Sequence, residues 1–161
     1  MVRNLVFLLL FIFIGCEMNS KQIIKPEKFT YDELKFNSVS KKLLFDDINE
    51  HSDVSDLKKI ITYWYDNKIK TDGFDGNLLV NVKKMEIDKI KEPEYFKISI
   101  DLGMQLVISD SNLERKKTYN LVATEYGEIN GSFSINDQEN LSLNIMHQAL
   151  NSISKKLLEI N

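Results

Sequence analysis

Apolar and polar positions divide the chain into stretches with different periods. Leu5 to Ile14 is an unbroken apolar run, with Arg3 before it and Gly15-Cys16 after it. A positive start, about 7–15 apolar residues and a small residue make the pattern of a cleavable export signal. The run falls short of the ~20 apolar residues that span a bilayer. Glu17 to Thr30 is polar, contains Pro26, and has Ile23-Ile24 as its one apolar pair. It reads as a flexible tether with a reach of roughly 20 Å.

From Tyr31 to Ile48 apolar residues alternate: Leu34 and Phe36, then Val39, then Leu43 and Phe45. The phase slips near Ser38-Val39, which predicts a strand with a bulge or break there. Lys41-Lys42 reads as a solvated position in that strand. Glu50 to Lys70 changes to the helical period, with Leu57, Ile60, Ile61 and Trp64 on one face. Ser52 or Asp53 can cap its start, Asp56 suits the positive end, and Asp72-Gly73 provides a stop. Trp64 reads as a core anchor. The loop Asp72 to Asn77 holds acidic residues and two glycines, but it lacks the closing Glu of a calcium loop. It reads as a helix-to-strand turn.

Leu78, Val80 and Val82 then alternate, and Met85 and Ile87 continue one residue out of phase. This predicts a strand bulged near Lys83-Lys84, ended by Glu92-Pro93-Glu94. Phe96 to Ile108 is the cleanest alternation in the chain: even positions are apolar and odd ones mostly polar, so one sheet face is buried and the other is wet. Asp110 to Lys117 reads as a polar hairpin turn. Tyr119, Leu121 and Ala123 open a last strand that runs to about Glu128. After Gly131, Ser134 or Asn136 can cap a closing helix. Its stripe is Leu143, Met146, Leu150, Ile153, Leu157 and Ile160. That spacing could form a coiled-coil seam, but the stripe is short and fits packing on the apolar sheet face better.

The fold expected is α+β: a two-layer sandwich in the order β-α-β-β-β-α, with a mainly antiparallel sheet and two helices on one face. The first strand must lie at an edge or take a parallel partner through the helical crossover. The expected divisions are 1–15 for the signal, 16–30 for Cys16 and the tether, and 31–161 for a single domain.

Composition adds limits. The chain has 161 residues, a formal charge of −3, six Gly, two Pro and one Cys. Removal of Arg3 with the signal makes the domain more acidic, which leaves no electrostatic footprint for nucleic acid. A single Cys allows no internal disulfide, so stability must come from packing.

Chemistry is sparse. His51 and His147 have no Cys companion and no metal-ligand spacing, so no metal and no cofactor is expected. His147 reads as a boundary residue, lightly buried. No nucleophile elbow, phosphate loop or dinucleotide fingerprint occurs. Acid pairs such as Asp46-Asp47 and Asp53/Asp56 sit at turns or helix starts, where solvation and the helix dipole account for them. The hairpin cluster Glu114-Arg115-Lys116-Lys117 has two readings: a solvated turn, or a cationic tip that touches anionic lipid or a protein partner.

Phe13-Ile14-Gly15-Cys16 resembles the lipobox of bacterial lipoproteins, with Phe13 where that motif usually has Leu. The resemblance implies cleavage before Cys16, diacylation of its thiol and acylation of the new amino end. It implies a membrane attachment through the N-terminal lipid, with palmitate among its acyl chains, and a domain on the periplasmic side. Glu17 differs from the Asp best known for inner-membrane retention in enteric bacteria, which points to the outer membrane. From Leu34 to Asn161 the succession resembles that of small alphaproteobacterial envelope lipoproteins of unassigned function: a strand, a helix with Trp64, a turn with Gly73 and Gly76, a meander and a closing helix. More distantly it is similar to the outer-membrane lipopolysaccharide-assembly lipoprotein and to auxiliary lipoproteins of lipid-transporting ABC systems, which act as plugs, chaperones or docking subunits without catalytic residues. The function expected is a non-enzymatic docking or assembly subunit of a larger envelope complex, with Arg115, Lys116 and Lys117 as a possible partner contact. The alternative is a lipoprotein that binds a small apolar ligand or lipid between sheet and helices.

Overall fold

The computed structural model describes residues 31–46, 52–112 and 115–160. The signal, Cys16, the tether, His51 and Glu114 lie outside the described residues. The elements are β1 (Leu34–Phe36), β2 (Ser40–Phe45), α1 (Ser52–Lys68), β3 (Ile69–Thr71), β4 (Asn77–Glu92), β5 (Tyr95–Ser109), β6 (Lys116–Asn130) and α2 (Ile135–Ile160). The main sheet has the order β2-β4-β5-β6, and β1 pairs with β3 in a small second sheet. β2 runs parallel to β4, whereas β4-β5 and β5-β6 are antiparallel. The molecule is thus α+β, with α1 and α2 packed on the apolar face of a mostly antiparallel sheet.

The phase slip at Ser38-Val39 is a break that divides the expected first strand into β1 and β2. The two pieces pair with β3 and β4 in turn, so one parallel pairing bends at its middle. Backbone bonds span the bend: Val39 N to Gly76 O at 3.0 Å and Gly73 N to Ser38 O at 3.2 Å. The chains approach so closely here that a Cβ on Gly73 would lie 2.5 Å from backbone atoms of Asn37 and Ser38. β2 is at a sheet edge and also takes a parallel partner through α1, as the crossover argument requires.

The helix stop is earlier than the sequence suggests. α1 ends at Lys68, and Ile69 enters β3 fully buried. β3 is short because its role is to pair β1 before the turn at Gly73 and Gly76. Lys41 is a further correction: it is not solvated but faces inward. Its Nζ donates to Tyr65 O at 2.9 Å and Ile69 O at 2.7 Å, and it lies 4.5 Å from the Tyr65 ring centroid. It therefore satisfies carbonyls that the end of α1 leaves without helical partners. Burial lowers its pKa, and nearby Lys70 adds to the effect against the opposing pull of Asp66.

β4 and β5 slip by one residue between Val82 and Lys84. The bulge moves the apolar phase from Leu78, Val80 and Val82 to Met85, and it frees Lys83 to pair with Asp46 at 2.8 Å. Along β5, Phe96, Ile98, Ile100, Leu102, Met104 and Leu106 are buried. Val107 is also buried, at 7% exposure, so it does not belong to the broad exposed surface that the odd positions suggest.

α2 begins with a reciprocal cap. Asp137 N donates to Ser134 Oγ at 3.2 Å, and Ser134 N donates to Asp137 Oδ2 at 2.8 Å. Its buried face includes Ser142, Ile145, Met146, His147, Ala149, Leu150, Ile153 and Leu157. This face is wider than a coiled-coil seam and is rotated from the expected stripe: Leu143 is half-buried and Ile160 exposed. Gly127 of β6 lets α2 approach, since a Cβ there would lie 2.8 Å from side-chain atoms of Leu141 and Ile145.

Candidate functional site

The described chemistry lies in two places, one buried and one exposed. In the core, His147 is 3% exposed rather than at a boundary, and its Nδ1 is hydrogen-bonded to the Tyr31 hydroxyl. Burial pushes the imidazole pKa down to about 4 and raises that of the phenol, with Tyr63 adding to the latter. The pair ties the chain entering the domain to the middle of α2. Among the described residues no group of three or more His, Cys, Asp or Glu side chains is placed to hold a metal ion.

The exposed place is the outer edge of the sheet. β6 follows the meander and leads straight into α2, so among the described residues no strand pairs with its outer side. Which groups face outward follows from the two ends of the β5-β6 ladder. Asp110 N donates to Arg115 O at 3.1 Å, and Gly131 N donates to Glu94 O at 2.9 Å. Both β6-side residues are odd-numbered, and hydrogen-bonded pairs alternate along an antiparallel ladder. Odd residues of β6 therefore bond β5, while even ones from Lys116 to Glu128 turn their N–H and C=O outward. One outward carbonyl is guarded: Val122 O accepts from Lys156 Nζ of α2. The even side chains Lys116, Thr118, Asn120, Val122, Thr124, Tyr126 and Glu128 are all exposed.

Arg115, Lys116 and Lys117 come together at the start of this edge, all exposed. The hairpin that carries them is held in place: Arg115 N donates to Asp110 Oδ2 at 3.2 Å, and Ser111 N donates to Asp75 Oδ1 at 3.1 Å. Bonds from Ser111 and Gly76 hold the Asp75 carboxyl below the usual range. Gly76 adopts φ 84°, and a Cβ there would lie 2.3 Å from Ser109 O, so this contact requires glycine. The other end of β6 is acidic: Glu125 accepts from Ser152 Oγ at 2.6 Å, and Glu128 accepts from the Tyr95 hydroxyl at 3.3 Å.

The uncovered sheet face is a polar lattice. Lys84 reaches Glu86 at 2.9 Å and Asp101 at 3.3 Å, Thr124 Oγ1 donates to Asp101 Oδ1 at 2.5 Å, and Gln105 Nε2 donates to Asn120 Oδ1 at 3.0 Å. The bonds from Thr124 and Lys84 hold the Asp101 carboxyl below its usual range. Exposed Leu44, Ile90, Val122 and Tyr126 sit on different cross-strand rows and do not adjoin one another there. A shallow groove on the outer side of α1, lined by Ser55, Lys58, Thr62, Tyr63, Asp66 and Asn67, lies away from the inter-layer core. Neither Lys156 nor the open edge at β6 carries a signal in the apolar periodicity. Among the described residues, the element after β6 is the helix α2 rather than a strand.

No protein-family model and no curated protein sequence matches the chain. Several solved structures align with it only loosely. A minor lipoprotein from Acinetobacter baumannii aligns at a TM-score of 0.41 and 11% identity, covering 80% of this chain and 90% of that one. The rare lipoprotein B from Shewanella oneidensis aligns at 0.38 and 5%, covering 74% and 91%. A putative neuraminyllactose-binding hemagglutinin homolog from Helicobacter pylori aligns at 0.33 and 9%, covering 81% and 89%. The likeness is a loose one of chain layout, and no residue role passes from those proteins to this chain.

Proposed function

We propose that this protein is a lipid-anchored envelope lipoprotein, a non-enzymatic docking or assembly subunit held on the periplasmic side of the outer membrane. The observation that carries the reading is the N-terminal succession of Arg3, the apolar run Leu5 to Ile14, Gly15 and the chain's one cysteine, Cys16. The tether from Glu17 to Thr30 then joins the anchor to a folded domain with roughly 20 Å of slack. The domain offers backbone for recognition along β6 and a cationic rim at Arg115, Lys116 and Lys117. Strand addition at such an edge is a common docking mode. The inter-layer space is filled by Leu57, Ile61, Trp64, Ile98, Leu102 and Leu150, each 0% exposed, which favours docking over an enclosed apolar ligand.

The test is crosslinking and affinity recovery of the lipidated protein from its own envelope, with mass spectrometry of what it carries. Reversal of Arg115, Lys116 and Lys117 to Glu weakens capture at low salt, because rim charges act through association rate and salt sensitivity. Stability should stay within about 1 kcal/mol of the parent, since these side chains are exposed. Capture that is unchanged at every salt concentration removes the hairpin from the interface.

A further inference from the structure

The charge order along β6 points to the partner its edge fits. Arg115, Lys116 and Lys117 occupy one end of the strand, and Glu125 and Glu128 the other. A strand laid antiparallel on this edge is matched when its own charges run in the same order, which is the order of a second copy of β6. We propose that two copies of this chain pair edge to edge through β6, antiparallel, about a two-fold axis at Val122. The inference rests on the reading of the β6 edge as the docking site and names its partner.

The register follows from the ladder. The outward N–H and C=O groups belong to even residues, so even residues must oppose even residues across the new pair. With Val122 opposite itself, Asn120 faces Thr124, Thr118 faces Tyr126, and Lys116 faces Glu128. Each contact away from the axis occurs twice, as an isologous interface demands. All of these side chains lie on the open face and are exposed in the single chain, Val122 at 56%. Lys97 already stands opposite Glu128 on β5, so Glu128 would sit between two cations. At the axis, the Lys156 ammonium on Val122 O occupies the acceptor that the second strand needs. Natural sheets use lysines in this way to blunt an edge. Lys156 is exposed, so its release exchanges one solvated bond for the paired strand. Two anchors in one bilayer raise the local concentration, so a weak pairing suffices.

The test uses the full lipidated chain in phosphatidylethanolamine–phosphatidylglycerol vesicles. Val122→Cys places the only free thiol at the axis if Cys16 is acylated. Directly opposed hydrogen-bonded residues have Cα atoms about 5.5 Å apart, within disulfide range. Val122→Cys should therefore crosslink to a dimer on addition of an oxidant, at least about tenfold faster than Thr118→Cys, whose two copies lie far apart in this register. An equimolar mixture of Thr118→Cys and Tyr126→Cys should crosslink as Val122→Cys does. Lys116→Glu should weaken the dimer about tenfold through its two like-charge contacts, and adding Glu128→Lys together with Lys97→Gln, which removes the like charge opposite it on β5, should restore it. Lys156→Ala should strengthen it. Equal crosslinking at Val122 and Thr118, or no restoration by the charge exchange, overturns the proposal. A chain that stays monomeric while the hairpin reversal still abolishes envelope capture also overturns it, and leaves the docking reading standing. Thiol titration of the parent chain reports separately on the anchor: a free Cys16 thiol refutes acylation without bearing on the strand pairing.

Discussion

At the residue scale the most informative side chain is His147. Its pKa is depressed by burial from 6.5 to about 4, so the folded chain keeps the imidazole neutral while the unfolded chain protonates it near its ordinary value. Stability from this group is complete above pH 6.5, falls as pH drops from 6.5 towards 4, and levels off below that. The full loss is at most about 3 kcal/mol, taking 1.36 kcal/mol per pKa unit. The lowered carboxyls of Asp75, Asp101 and Asp137 act in a separate window, below their ordinary value of about 3.8. Urea unfolding at a series of pH values should show a slope between pH 6.5 and 4 that His147→Gln removes. A slope that survives the substitution would assign it to other groups. In the sequence His147 stands beside the apolar Met146, which by itself indicates only a boundary position. The stripe through Leu143 and Ile160 set the face slightly off, and the Tyr31 partner is more than a hundred residues away in the chain.

At the scale of elements, period was the reliable guide and partnership was not. The bulge at Lys83 and the break at Ser38 were visible as phase slips, because a two-residue side-chain period turns any insertion into a change of face. β3 was not visible: three residues at the end of a helical pattern carry no period of their own, and Ile69 is buried by pairing with Leu34 across the crossover. Lys41 was misread for a similar reason, since only the position of the α1 terminus makes an inward lysine favourable. Trp64 was placed correctly, at 0% exposure on the face of α1 that meets the sheet. Trp64→Ala should lower unfolding free energy by about 3–5 kcal/mol, the range for a buried large aromatic. A loss under about 1 kcal/mol in chemical denaturation would mean that α1 is not held by this stripe.

At the scale of the whole molecule, the two layers were legible because two amphipathic helices and one half-apolar sheet have few ways to bury each other. The edge at β6 was harder to see. Burial patterns report the face of a sheet, whereas the outward backbone groups depend on which residues bond β5. The edge therefore shows only in the ladder and in Lys156 on Val122 O. The docking role proposed above joins that edge to the anchor at Cys16.

The anchor at Cys16 is decided by the intact mass of the protein extracted from its own envelope. An acylated anchor gives a chain that begins at Cys16 and carries a diacylglyceryl group with a further acyl chain on its amino end, together with a Cys16→Ser variant that takes up no labelled palmitate. An envelope form cut elsewhere with a free Cys16 thiol, or a serine variant that still incorporates palmitate, would contradict it.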